Sequence, residues 1–275
     1  MAITGSTALA AVIEKRVSGI ITETLLQESV ALGVVRQYPV EGGMDRLDIP
    51  LFSGMTVNTV TEGTALTPEA IAVSTAQLSL NRQKAVAWAI SKRAEVQQKV
   101  NASMEAIKNG SKQMAAEIDD HLFSIMAAGA GTTKGLTIDY SDDEMAAILD
   151  VKRIMDESNV SKSGRFIVAS PVFCQNLLAN GAVQDASKYG SEAPIQAGYV
   201  TRIFGFTVVE SSSASVPADG FLACVSDATA FARQINPSLD SDYNVLALQQ
   251  EYVLSHLYGA ILTDTGSNRI IAMGT

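Results

Sequence analysis

The chain has 275 residues, 47% of them apolar and 18% charged, with a formal net charge of −9. That is enough apolar material for one large core or two smaller ones. The acidic balance, with no Lys/Arg-rich run, excludes the electrostatic footprint of specific binding to a nucleic-acid backbone.

In chain order, Ser6 or Thr7 caps a first helix whose apolar residues Leu9, Val12, Ile13, Ile20, Ile21, Leu25 and Leu32 recur at mostly helical spacing, until Gly33 and Pro39 end it. Residues 47–51 alternate as a short strand in which Pro50 suits only an edge. An outbound strand, MTVNTVTEG, reaches Glu62 and Gly63, and a turn with Thr64 and Pro68 leads into a return strand from about Ile71 to Ile90. Two strands of about a dozen residues would project ~40 Å, and an isolated two-stranded ribbon is marginal in water. Leu78, Leu80, Val86, Trp88 and Ile90 share one face, so the base reads as core and the tip as polar. Such an arm needs covering from outside the subunit.

Ser91 caps a short helix through Gln98, and a longer one follows from about Asn101 to Ala128. Its apolar face is Met104, Ile107, Met114, Ile118, Leu122 and Ile125, with Gly110 leaving room for close approach. Past the glycine-rich break at Gly129–Gly135, Ser141 and Glu144 form a capping box for a helix carrying Met145, Ile148, Leu149, Ile154 and Met155. Strand RFIVAS, helix PVFCQNLLA opened by Ser170-Pro171, a polar loop to about Ala197, strand FTVVES, a Ser-rich turn and strand FLACVS complete an α/β unit. Residues Tyr243 to Met273 read as β-rich.

Chemistry is sparse. The loop around Gly129, Gly131, Lys134 and Gly135 follows a helix and lacks the phosphate-loop spacing, so it reads as a helix terminator. Asp119, Asp120 and His121 are consecutive on a helix and point about 100° apart, so they cannot converge on a metal by themselves. The only other histidine, His256, sits in an apolar strand-like run and reads as a core or interface residue. Cys174 and Cys224 lie in apolar stretches and read as buried free thiols, pointing to an intracellular origin. Ala8–Val12 soon meets Glu14, Lys15 and Arg16, so no signal peptide is expected, and no segment reaches the ~20 apolar residues of a membrane span. No catalytic residue, cofactor site or metal site emerges.

Several stretches, taken in order, carry a resemblance: VNTVTEGTALTP as a loop tip, AAEIDDHLFSIMAAGAG as a helix end with its Gly-rich exit, RFIVASPVFCQNLLA, RIFGFTVVESSSASVPADGFLACVSDATAFARQI and EYVLSHLYGAILTDTGSNRIIAMGT. Together they resemble the tailed-phage major capsid proteins of the Hong Kong 97 fold over nearly the whole chain. The resemblance implies an α+β fold with an N-terminal arm (1–50), an extended loop (51–90), a peripheral domain with a long spine helix (91–138), an axial domain (139–240) and a return to the peripheral domain (241–275). It implies a non-enzymatic shell subunit that closes as hexamers and pentamers into an icosahedral particle around double-stranded DNA. An anionic inner wall would let that DNA slide during filling. The implied setting is the virion, assembled in the host cytoplasm, with no membrane. No long scaffolding segment precedes the arm, so a separate scaffolding protein is expected, with a portal and a decoration protein as further partners.

Candidate contacts between subunits are Glu62 and Gly63 at the loop tip and Arg82 and Lys84 at its base. Gly181, Gly190 and Gly198 would give a capsomer-centre loop its freedom. Some relatives lock their shells through a loop lysine, yet residues 51–83 contain none, so noncovalent contacts are expected. The alternatives are an encapsulin-type nanocompartment and, in a different class, a soluble α/β hydrolase using His121 or His256.

Overall fold

The computed structural model describes residue 21 and residues 29–40, 43–52, 54–60, 62, 69–97, 102–130, 144–179, 202–263 and 268–274. Most of the first helix and the Ser141 cap lie outside them. The strands are β1 (Arg36–Tyr38), β2 (Arg46–Phe52), β3 (Val73–Ser79), β4 (Arg82–Ser91), β5 (Arg165–Ala169), β6 (Arg202–Ile203), β7 (Phe206–Glu210), β8 (Phe221–Val225), β9 (Thr229–Asn244), β10 (Gln249–Leu262) and β11 (Ile270–Met273). The helices are α1 (Lys92–Gln97), α2 (Ala102–Gly129), α3 (Glu144–Glu157) and α4 (Pro171–Ala179). Leu32 falls in a short 3-10 turn, Ala31–Gly33.

Local chemistry explains several boundaries. The Ser91 hydroxyl accepts the Ala94 N–H at 3.2 Å and opens α1, and the Ser170 hydroxyl accepts the Phe173 N–H at 3.2 Å and opens α4, both as their sequences anticipate. On β4 the half-buried positions alternate strictly, with Lys84, Val86, Trp88 and Ile90 inward. Trp88 and Leu254 pack where α2 carries Gly110, within 3.4–3.5 Å of where a Cβ would stand. Leu149 of α3, expected on the apolar face, is exposed.

Three sheets result. The first has strand order β1-β9-β10-β4, the second β11-β8-β5-β7-β6, and the third is the pair β2-β3. The spine helix α2 lies against the first sheet and one face of the second: Ile107, Met114, Ile118, Leu122, Phe123 and Met126 share a core with Phe166, Leu222, Cys224, Phe231, Leu254 and Tyr258. The other face of the second sheet, with Ile167, Ala223 and Val225, packs on Ile148, Val151 and Met155 of α3 and on Phe173 and Leu177 of α4. Every residue of β5 and β8 is therefore buried, which is why RFIVA and FLACV read as unbroken apolar runs.

The loop is built differently from its expected form. MTVNTV, anticipated as an outbound strand, carries no regular structure over residues 54–60. The single return strand from Ile71 to Ile90 is two strands in two sheets: β3 pairs with β2, whereas β4 pairs with β10. The break lies at Leu80, whose N–H donates to the Asp45 carbonyl at 2.8 Å, and at Asn81. The β2–β3 ribbon is seven residues long on each side, so it spans about 23 Å rather than ~40 Å. Its root is core, as expected: Ile49, Leu78 and Leu80 are buried with Ala230 and Ala232.

Candidate assembly surfaces

Beyond β2 the described loop residues leave their apolar side chains uncovered. Phe52, Met55, Val60, Ile71 and Val73 are exposed, and Val57 is 96% exposed. The Thr56 N–H donates to Glu69 Oε2 at 3.1 Å, tying the outgoing side of the loop to its return. Between Leu47 and Asn81 the only charged side chains are Asp48, Glu62 and Glu69, so the loop presents apolar groups among threonines with negative charge alone. A run of exposed apolar side chains of this kind points to a contact site.

The sequence-derived contact residues separate. Glu62 is exposed in a turn at the tip, while Gly63 lies outside the described residues. Arg82 is exposed and stands opposite Tyr258 in the β4–β10 register. Lys84 is engaged within its own chain, its ammonium 2.5 Å from Glu117 on the spine helix. Gly181, Gly190 and Gly198 lie outside the described residues.

The segment Glu117–His121 of α2 acts as a junction, a role the sequence reading missed. Glu117 holds β4 through Lys84. Asp119 is buried and accepts hydrogen bonds from the Ser29 hydroxyl (2.5 Å), the Val30 N–H (2.9 Å) and the Ala31 N–H (3.1 Å), which fastens the arm to the spine. Burial raises the Asp119 carboxyl above its ordinary range, and those three hydrogen bonds act against the rise. Asp120 turns elsewhere and accepts from Ser213 (2.6 Å) and Ser215 (3.1 Å) of the Ser-rich turn. His121 meets the edge of Tyr258, with ring centres 5.5 Å apart. The divergence of consecutive helical side chains, expected from the 100° step, is thus used to hold four elements.

The imidazoles are placed for packing. His256 is 2% exposed, 4.9 Å from the Tyr258 ring, and neither ring nitrogen has a hydrogen-bond partner among the described residues. It is a core histidine, as expected, but not a satisfied one. Burial, then the nearby Arg233 cation, holds its pKa down at about 4. Both cysteines are free; burial pushes the half-buried Cys174 thiol up to about 11 and raises the fully buried Cys224 thiol further, so neither is a ready nucleophile. A cleft of about 570 Å³ lined by Ser170, Ser211, Ser213, Ser215 and Gly274 has neither imidazole in its wall. Among the described residues no group of three or more His, Cys, Asp or Glu could hold a metal ion, and no helix is long and apolar enough to cross a membrane.

No family model and no curated protein matches the sequence. Solved structures do match in fold. A chain from Mycobacterium phage Che8 superposes with a TM-score of 0.70 at 17% identity, covering 88% of this chain and 90% of that one. The capsid structure of the cyanophage P-SCSP1u gives a TM-score of 0.66 at 13% identity, covering 88% and 87%. A virus-like particle from Pyrococcus furiosus gives 0.59 at 8% identity, covering 94% and 98%. The α+β fold is that of phage capsid proteins of the Hong Kong 97 type.

Proposed function

We propose that the chain is the major capsid protein of a tailed phage, a structural subunit and not an enzyme. Copies close as hexamers and pentamers into an icosahedral shell around double-stranded DNA, each extended loop lying on a neighbour. In this reading residues 1–50 are the arm, 51–90 the loop, 91–138 and 241–275 the peripheral domain and 139–240 the axial domain. A scaffolding protein, a portal and a decoration protein are its partners, and assembly takes place in the host cytoplasm. The observation that carries the reading is the loop: a chain with the fold of capsid subunits projects apolar side chains that its own core leaves uncovered. The nanocompartment alternative draws on the Pyrococcus furiosus particle, whose likeness is weaker in TM-score and identity than those of the two phage structures. The hydrolase alternative requires an accessible imidazole beside a pocket; His256 is buried, His121 is half-buried against Tyr258, and neither lines the cleft at Ser170 and Ser211–Ser215.

The test is a loop exchange read by electron microscopy. Phe52 pairs directly with Val73, so replacing residues 53–72 by Asn-Gly closes β2–β3 as a two-residue hairpin. A wider deletion through residue 80 would instead remove the buried Leu78 and Leu80 and unfold the root. The intact chain is expected to form closed shells of uniform diameter, with its scaffold where one is needed, and the exchanged chain to remain folded and unassembled. Shells from the exchanged chain, or small oligomers from the intact chain under every assembly condition, overturn the proposal.

A further inference from the structure

Five buried polar atoms without a hydrogen-bond partner among the described residues gather under the spine helix: Arg233 Nη2, Tyr258 Oη, His121 Nδ1 and both ring nitrogens of His256. Their placement follows from the first sheet. Tyr258 on β10 stands directly opposite Arg82 on β4 and Arg233 on β9, and directly opposed residues of antiparallel strands share a face. His256, two residues earlier, lies on that face too and stands opposite Lys84. The β9–β10 register shifts on either side of Leu257, which leaves His256 with no opposed β9 residue and brings Arg233 across from Tyr258. From the other side α2 contributes Glu117 and His121, four residues apart and so on one helix face. The Tyr258 ring joins the group, with the His121 and His256 ring centres 5.5 and 4.9 Å from its own.

The charge of this cluster is out of balance. Lys84 and Glu117 neutralise each other, and Asp120 turns away to Ser213 and Ser215. Arg82 and Arg233 have no carboxylate partner among the described residues. The Arg82 guanidinium approaches the phenol oxygen without reaching good hydrogen-bond geometry. Burial alone pulls the Arg233 pKa below its ordinary value, as happens to a guanidinium with nothing negative beside it. Buried guanidinium groups are ordinarily paired, because an uncompensated charge out of water is costly. Two such cations repel a metal ion and attract an anion. Each orphaned group is, or can present, an N–H or O–H donor, and guanidinium forks match the oxygens of a tetrahedral oxyanion.

We infer that this cluster is an oxyanion site that takes inorganic phosphate or a phosphomonoester between Arg82, Arg233 and Tyr258, with His121 and His256 as further donors. The buried His256 and Tyr258 form its floor. Arg82 is exposed, and Arg233, Lys84 and His121 are half-buried, so a small ion reaches the floor from the rim. A recessed floor in a chain of net charge −9 suits a free phosphate better than the backbone of a duplex. The site does not depend on the shell reading.

Equilibrium dialysis of the intact chain against radiolabelled inorganic phosphate, in chloride buffer of fixed ionic strength at pH 7, is expected to show one saturable site per chain. Arg233→Gln and Arg82→Gln should each weaken binding about tenfold, and Tyr258→Phe, which deletes only the hydroxyl, about threefold. Arg153→Gln, on the exposed surface of α3, leaves binding unchanged. Thermal melts separate lost binding from lost folding: phosphate raises the melting temperature of the intact chain and does not raise that of the folded Arg82→Gln chain, whose substitution lies at the exposed rim. Absence of saturable binding overturns the inference and leaves these groups to water. Binding that survives both guanidinium substitutions also overturns it, because the phosphate then sits elsewhere. A duplex oligonucleotide that displaces phosphate from the intact chain, and itself binds less well to Arg82→Gln and Arg233→Gln, would make a nucleic-acid backbone the ligand and overturn the choice of a small ion.

Discussion

His256 shows what one buried group does to the subunit. Its neutral ring sits between β10 and the spine helix; Arg233 and Lys84 bring positive charge to it, and Glu117 is the acidic group among its neighbours. In the unfolded chain the imidazole titrates near 6.5, and in the fold near 4. Between those values the unfolded chain binds more protons than the native one, so stability falls as pH drops from about 6.5 and the whole loss is present below about 4. The shift corresponds to about 3 kcal/mol. His256→Leu, which cannot take up the proton, is expected to lose that part of the acid sensitivity. Denaturant titrations of both chains at pH 7 and pH 4.5 check it, and a stability difference between them that does not change with pH would contradict it. Read as sequence, His256 was recognisable as a core residue from its apolar neighbours. Its missing hydrogen-bond partners were not recognisable, because the groups facing it come from β4, β9 and α2, far apart in the chain.

At the scale of elements, the root of the loop is pressed onto the hairpin at Gly259. A Cβ there would lie 2.2 Å from the Ser79 carbonyl oxygen and 3.0 Å from Leu78, and backbone cannot give way as a flexible side chain can. Gly259→Ala is expected to cost about 1–3 kcal/mol through overpacking, seen as a lowered denaturant midpoint; an unchanged midpoint would show that β3 can lift off β10 freely. The same place explains why the loop was only partly legible. Leu78, Leu80, Val86 and Trp88 keep one parity across the break, so period-two counting finds a single strand. The change of partner from β2 to β10 leaves no mark in that alternation. Outbound MTVNTV has strand-forming residues but, among the described residues, no strand to pair with, and propensity alone does not make one. The spine helix, by contrast, was placed within one residue at each end, because its 3.6-residue stripe from Met104 to Ile125 runs for about six turns. The junction at Glu117–His121 was visible as an acidic cluster. Its four attachments depend on residues 29–31, 84, 213–215 and 258, which no local pattern links.

For the whole molecule, the decisive fact is that one sheet serves two cores. β5 and β8 place Phe166, Val168, Leu222 and Cys224 against the spine helix and Ile167, Ala169, Ala223 and Val225 against α3 and α4. Neither core can come apart without exposing a face of the same two strands. The two cores should therefore unfold together, even though the second has its own helices. Leu122→Ala in the first core and Ile148→Ala in the second each remove a fully buried side chain, at a cost of about 2–5 kcal/mol. Calorimetry of the loop-exchanged chain, which is expected to stay unassembled, should give one transition, with both substitutions lowering it. Two transitions, each answering to one substitution, would mean that the shared sheet does not couple the cores. A single transition carries a consequence for assembly. Strain imposed on the loop root is then carried into both cores through packed strands and the spine helix, so in the proposed shell such subunits are expected to rearrange as whole copies rather than by loosening one core at a time.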